Sequence, residues 1–283
     1  EDAGFNKIIN QKGWSRACAL VDKAAFYRRC ATHGLPHPEV HAVYNRDVHD
    51  FRPARGHPLI AKPPHGEGGR GVALLPPAVS EIADQAAFAQ AIAPYVDKRQ
   101  VWVIQHALRN HAALTDYAMD ALATARLTTM RNETGEPELV SSVLRVPSLR
   151  GPVIDNMKAG GLIMPVDLET GRADIACKGY GGGDYHCHPV SCAAFSDLQL
   201  PDWKAAVALA CRAHSTAFPE YTLIGWDIGF TPDGPMVVEG NAKPGVLMPQ
   251  RSGRKGLAGQ RYGELLAFNL ERAEREQTDE PAR

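Results

Sequence analysis

The chain has 283 residues, 44% hydrophobic and 22% charged, an ordinary globular composition with length for one large domain or two modest ones. Its 31 basic and 32 acidic residues nearly cancel, so no broad basic field exists for extended nucleic acid, while a local positive pocket for a small phosphorylated ligand stays open. No apolar run approaches the roughly 20 residues that span a bilayer, so no membrane partner is expected. The chain opens at Glu1 without a leader pattern. Its six cysteines (18, 30, 177, 187, 192, 211) form no C-x-x-C pair; both features point to a cytoplasmic protein with reduced thiols.

In chain order, "WSRACALVDKAAFYRRCATH" (14–33) reads as one or two amphipathic helices, stopped by Gly34-Leu35-Pro36. "VHAVYN" is a short strand. "HPLIAKP" (57–63) is a buried strand ending at Lys62, "HGEGGRG" (65–71) a glycine loop and "VALL" (72–75) the returning strand. "SEIADQAAFAQAIAPYV" (80–96) has apolar residues at helical spacing behind a Ser80 cap. "VWVIQHAL" (101–108) alternates as a strand does.

Residues 117–132 pass from helix to strand, and "NETGEP" turns the chain into the strand "ELVSSVLRVPS" (138–148). A Gly-rich stretch (155–183) contains a turn at Glu169-Thr170-Gly171. "DWKAAVALACRAHSTAF" (202–218) is a helix, "GWDIGFTPDGPMVVEGNAKPG" (225–245) a β-hairpin, and "QRYGELLAFNLERAERE" a closing amphipathic helix. No internal repeat appears. Mixed elements with many antiparallel turns predict an α+β chain in two lobes: a helical segment over 1–45, a small lobe over 46–108 and a large lobe over 109–283.

Four stretches carry chemistry. Glycines in "KPPHGEGGRG" (62–71) let backbone N–H groups approach an anion, and Lys62 and Arg70 add positive charge. The sequence is neither a Walker A loop nor a Rossmann fingerprint, and a plain surface hairpin is the competing reading.

The 225–245 hairpin centres near Asp233-Gly234. Asp227 lies six residues before Asp233 and Glu239 six after it, which makes them cross-strand neighbours. Two close carboxylates are costly unless a cation lies between them. Asn241 leaves the same strand face as Glu239. Three oxygen donors suit Mg²⁺ or Mn²⁺ shared with phosphates; a solvated polar edge is the alternative.

Arg126, inside the strand-forming run "LATARLTTM", needs an anionic partner, structural or substrate. The H-x-H of "YHCHPVSC" (185–192) tempts a zinc reading, but Pro189 and the ligand spacing argue for an inert or substrate-facing loop.

In this order, these stretches resemble the ATP-grasp superfamily, and most of all its sugar-transfer associated branch. "VDKAAFYRRCATHGLPHPEV" is similar to that branch's Lys-bearing opening helix. "IAKPPHGEGGRGVALL" resembles the phosphate-covering loop, "VIQHALRNH" the hinge strand, and "LATARLTTM" the "nTvRivT" strand. "VIDNMKAGGLIMPVDLETG" is close to a DN…GG…VD block, and "IGWDIGFTPDGPMVVEGNAKPG" resembles the metal hairpin.

The resemblance implies an ATP-binding cleft between two α+β lobes. By position, Lys62 would contact a nucleotide phosphate, and Gly66, Gly68, Gly69, Arg70 and Gly71 would cover the phosphates as a lid. Gln105, His106, Ala107 and Leu108 would line the adenine site, where the family usually offers a Glu. Arg126 would face the γ-phosphate or acyl-phosphate oxygens, with Lys62 and Arg126 acting in catalysis. Asp227, Glu239 and Asn241 would hold Mg²⁺, and Lys23 matches a family lysine.

The implied reaction is ATP- and Mg-dependent joining of a small-molecule carboxylate to an amine or thiol through an acylphosphate. A kinase of the same fold, or a nucleotide-binding module without turnover, are the alternatives. Asp155, Asn156, Asp167, His186 and His188 are candidate acceptor contacts or turn residues. Lys243, two residues past Asn241, would touch substrate or phosphate. The oligomeric state is open, a homo-oligomer included.

Overall fold

A computed structural model of the chain describes residues 2–15, 18–63, 71–151 and 160–279. The N-terminal part holds helix α1 (Asp2–Ile9), a 3-10 turn over Gln11–Trp14 and helix α2 (Lys23–Thr32). The helical expectation for 14–33 is thus met only from Lys23 onward. Asp22 caps α2 by accepting a hydrogen bond from Ala25 N at 3.0 Å. The helix ends in a Schellman arrangement: Gly34 sits at φ +60°, Leu35 N donates to Cys30 O and Gly34 N to Ala31 O.

The chain then enters a five-stranded antiparallel sheet: β1 (Val40–Asn45), β2 (Asp47–His49), β3 (Leu59–Lys62), β4 (Ala73–Leu74) and β5 (Trp102–His106), in the order β2-β1-β5-β3-β4. Helices α3 (Pro77–Ser80) and α4 (Gln85–Ile92) cover one face. The expected single helix over 80–96 is therefore broken. Ser80 closes α3 by donating to Pro77 O, and Asp84 is the residue that caps α4. Ala61, Trp102 and Ile104 pack against Phe88 and Ile92. Val103, on the opposite face, joins a second core with Phe26 and Leu127. Because Lys62 pairs with Val103 and Gln105 with Ile60, Lys62 and Gln105 share that second face.

After α5 (Thr115–Ala118) comes a seven-stranded antiparallel sheet: β6 (Thr124–Arg131), β7 (Pro137–Val146), β8 (Leu162–Pro165), β9 (Ala176–Lys178), β10 (Asp184–Tyr185), β11 (Leu223–Thr231) and β12 (Gly234–Asn241). Its order is β10-β9-β8-β7-β6-β11-β12. Helix α6 (Trp203–Arg212), continued by a π turn over Ala213–Ala217, packs on it, as does α7 (Leu247–Gly253). The long α8 (Arg261–Asp279) lies against α1.

The two sheets span residues 40–106 and 124–241. The N-terminal helices do not stand apart: α2 buries Phe26, Tyr27 and Cys30 in the large-sheet core, where Phe26 stacks on Phe218 at 5.3 Å. Strand β1, read as a short strand within the 1–45 segment, belongs to the small sheet. No described helix is long and apolar enough to cross a membrane.

Candidate active site

The β11–β12 hairpin pairs Thr231 with Gly234 around Pro232-Asp233, one residue earlier than expected, with Gly234 at φ +100°. Carried on regularly, that register would set Asp227 opposite Val238 and point Glu239 to the other face. A bulge at Val238 corrects it: Ile228 pairs with Val237, Asp227 with Glu239, and Gly225 with Asn241. Asp227, Glu239 and Asn241 therefore share one face.

Arg126 of β6 is the other neighbour of Asp227. Its Nε donates to Asp227 Oδ1 at 2.5 Å and its Nη2 to Oδ2 at 3.3 Å, while Nη2 of Arg145, from β7, donates to Oδ2 at 3.0 Å. Burial alone would raise the Asp227 pKa, but the two guanidinium groups override it and hold the carboxyl below its ordinary value. Gly225 makes room, since a Cβ there would lie 3.0 Å from Arg126 Cδ.

Glu239 is more open, its side chain 35% exposed, and pairs with Lys23 of α2 at 3.4 Å. Lys62 reaches in from β3, its Nζ donating to the Tyr27 hydroxyl at 3.5 Å. Burial pulls the Lys62 ammonium down to about 8, against the opposing pull of Glu239 and, more weakly, Asp227. Tyr27 in turn donates to Val238 O at 2.7 Å. Four cations (Lys23, Lys62, Arg126, Arg145) thus gather around two carboxylates. The positive surplus, drawn from both sheets, suits an anion.

At the hinge strand, Gln105 is buried and its Oε1 has no hydrogen-bond partner among the described residues. His106 N donates to Glu39 O at 2.9 Å and Ala107 N to Pro58 O at 2.7 Å. The His106 ring lies on the opposite strand face from Gln105, 5.0 Å from His57. Burial, then His57, lowers its pKa. Ala107 and Leu108 are half-buried.

Among the described residues no three His, Cys, Asp or Glu side chains are grouped so as to hold a metal ion. The hairpin instead offers two carboxylates and an amide. Asn241 Nδ2 donates to Gly225 O at 3.3 Å. This all-oxygen set fits a hard cation that takes its remaining ligands from phosphates.

The other candidates scatter. His188 is fully buried: Nε2 donates to Pro147 O at 2.8 Å and Nδ1 accepts from Val190 N at 3.2 Å. It is a structural plug and not an acceptor contact, while His186 is exposed. Asp167 closes its own turn, accepting from Thr170 N at 2.7 Å and Thr170 Oγ1 at 2.6 Å. Those bonds lower its pKa. Lys243 lies past the end of β12 and stacks over Trp14 at 3.8 Å. Gly71 sits at φ +77°. Gly66, Gly68, Gly69, Arg70, Asp155 and Asn156 lie outside the described residues.

Arg145 and Tyr27 are the site residues that sequence reasoning missed. Arg145 carries the same signal as Arg126, an arginine among strand formers. Tyr27 carries none, because a tyrosine on a helix face reads as core.

Solved structures resemble the fold. The D-alanine–D-alanine ligase of Coxiella burnetii aligns with TM-score 0.51 and 11% identity, over 92% of this chain and 60% of that one. The D-alanine–D-alanine ligase of Bacillus anthracis complexed with ATP gives 0.50 and 14%, over 93% and 70%. The ATP-grasp ligase PsnB complexed with precursor peptide PsnA2 and AMPPNP gives 0.50 and 15%, over 91% and 61%. The chain spans about three fifths of the length of the first and third. Comparison with curated proteins gives no match. The sequence matches the sugar-transfer associated ATP-grasp family over residues 3–263. The α+β architecture of two antiparallel sheets is accordingly the ATP-grasp fold, and the chain belongs to the sugar-transfer associated ATP-grasp family.

Proposed function

We propose that the chain is an ATP- and Mg-dependent ligase that joins a small-molecule carboxylate to an amine or thiol through an acylphosphate. The carrying observation is the group of four cations around Asp227 and Glu239, drawn from α2, the small sheet and the large sheet. Phosphoryl transfer asks mainly for positioning and neutralised charge, and this arrangement supplies both. The substrate carboxylate attacks the γ-phosphorus and ADP leaves with the bond's electron pair. The amine or thiol then displaces phosphate from the acyl carbon.

Lys62 would balance charge on the nucleotide phosphates from the small-sheet side, and Arg126 would face the transferred group. Arg145 keeps Asp227 ionised and fixed. Asp227, Glu239 and Asn241 would hold Mg²⁺, which when bound would neutralise the β- and γ-phosphate oxygens. Gln105, on the Lys62 face, would meet the base through its unpartnered Oε1.

An ADP-release screen with paired carboxylate and amine or thiol libraries, followed by mass spectrometry, tests this reading. A condensed product supports it. A phosphorylated product in its place makes the chain a kinase, and ATP binding without ADP across the panel makes it a binding module.

A further inference from the structure

The bulge that aligns Glu239 with Asp227 needs an explanation of its own. Nothing in the Pro232-Asp233 turn demands it, since the register from Thr231↔Gly234 to Ile228↔Val237 is regular. Only beyond Val237 does the ladder shift. A regular continuation would set Glu239 opposite Trp226, which is fully buried. A carboxylate aimed there would be desolvated at great cost. The same slip would remove an acid from the cluster of cations.

Strand β12 is an edge strand, so its outer side is where a bulge can be held. Two bonds hold it. Val237 N donates to Pro36 O at 2.9 Å, in the segment that follows α2. Val238 O accepts from the Tyr27 hydroxyl at 2.7 Å, from α2 itself. Val238 is the unpaired residue of the bulge, so its carbonyl finds in Tyr27 what the ladder denies it. The same hydroxyl accepts from Lys62 Nζ at 3.5 Å. One oxygen therefore links the phosphate-side lysine of the small sheet to the bulge of the large sheet.

We infer that Tyr27 is a positioning residue: its hydroxyl pins the Val238 bulge and so holds Glu239 in register with Asp227 for the cation they share. The metal part of this inference rests on the ligase reading above; the pin itself does not. Tyr27 acts through backbone and through Lys62, with no contact to reacting atoms required of it.

The test compares Tyr27→Phe with Tyr27→Leu. Phenylalanine keeps the ring, which lies 5.3 Å from Phe26 and 5.9 Å from His37, and removes only the oxygen. The expected result for Tyr27→Phe is near-wild-type melting, with amide exchange over residues 237–240 about tenfold faster, the size of one lost buried hydrogen bond. By titration calorimetry, the gain in ATP affinity on adding Mg²⁺ falls about tenfold. Wild-type exchange and a wild-type Mg²⁺ gain in Tyr27→Phe, with defects only in Tyr27→Leu, would make Tyr27 core packing and overturn the inference. If the wild-type chain binds no ATP with Mg²⁺, the ligase reading falls, and amide exchange in Tyr27→Phe alone decides the pin.

Discussion

Arg145 reaches from β7 past Thr124 of β6 and places Nη2 3.0 Å from Asp227 Oδ2, so Asp227 is gripped by guanidinium groups from two different strands. The two acids of the hairpin are thereby unlike. Asp227 is sunk and doubly paired, whereas Glu239 is about a third exposed and paired once.

Asp227→Asn should therefore be a stability mutation as well as a functional one. It removes the buried charge that both guanidinium groups bond, at a cost on the order of 3 kcal/mol. Glu239→Gln should cost no more than about 0.5 kcal/mol, as for other part-exposed pairs, yet abolish Mg-dependent turnover. Urea unfolding and ADP release, measured on both variants, separate the two roles. Wild-type-like activity in Glu239→Gln would remove the metal assignment.

The depressed pKa of Lys62 gives a pH signature. Folding favours its neutral form, so its contribution to stability rises with pH from about 8 toward the ordinary lysine value and is absent below that window. An anion favours the charged form. ATP binding should weaken as pH rises through about 8, and binding above that pH should take up a proton. Calorimetry in buffers of different ionisation enthalpy reads the uptake directly. Lys62→Arg should bind without it.

Gly225→Ala should damage the site through Arg126. The new Cβ would stand 2.7 Å from Pro244 Cβ and 3.0 Å from Arg126 Cδ. Overpacking of this kind costs about 1–3 kcal/mol, and the displaced guanidinium should lower kcat/KM at least about tenfold. Gly245→Ala, whose Cβ would meet nothing within 4 Å, is the control. Equal losses in both variants would show that Arg126 is not the route.

The 185–192 loop should prove structural. His188→Phe removes a donor to Pro147 O and an acceptor for Val190 N inside the fold, and should cost about 1–3 kcal/mol in a thermal or urea melt. His186→Ala, at an exposed position, should stay within about 0.5 kcal/mol. A zinc-selective chelator should leave the melting of the wild-type chain unchanged.

Much of this was legible in the chain. Alternation marked β5, a buried apolar run marked β3 and strand-forming residues marked β6, and the acids of β11 and β12 announced a shared face. Charged residues inside apolar strands are conspicuous, because burying them needs a partner. The bulge was not legible. Any residue can be the extra one, and the expected turn centre reached the right Asp227–Glu239 pairing only because an earlier turn and a one-residue bulge cancel. The Ser80 cap failed for a similar reason: Asp84, four residues on, offers a carboxylate to Ala87 N once α3 has ended. Tyr27 was hidden by its ring, which satisfies every expectation of a core residue before its hydroxyl is considered.

The small sheet is joined to the rest of the chain at two places, after α2 and after β5, and the two connections are bonded to each other where His106 N meets Glu39 O. Two tethers lying side by side would confine any rotation between the sheets to one short line. Val237 N, fastened to Pro36 O on the first tether, puts the acid-bearing strand beside that line, while the Lys62–Tyr27 bond, farther along the small sheet, is the contact that such a rotation would break.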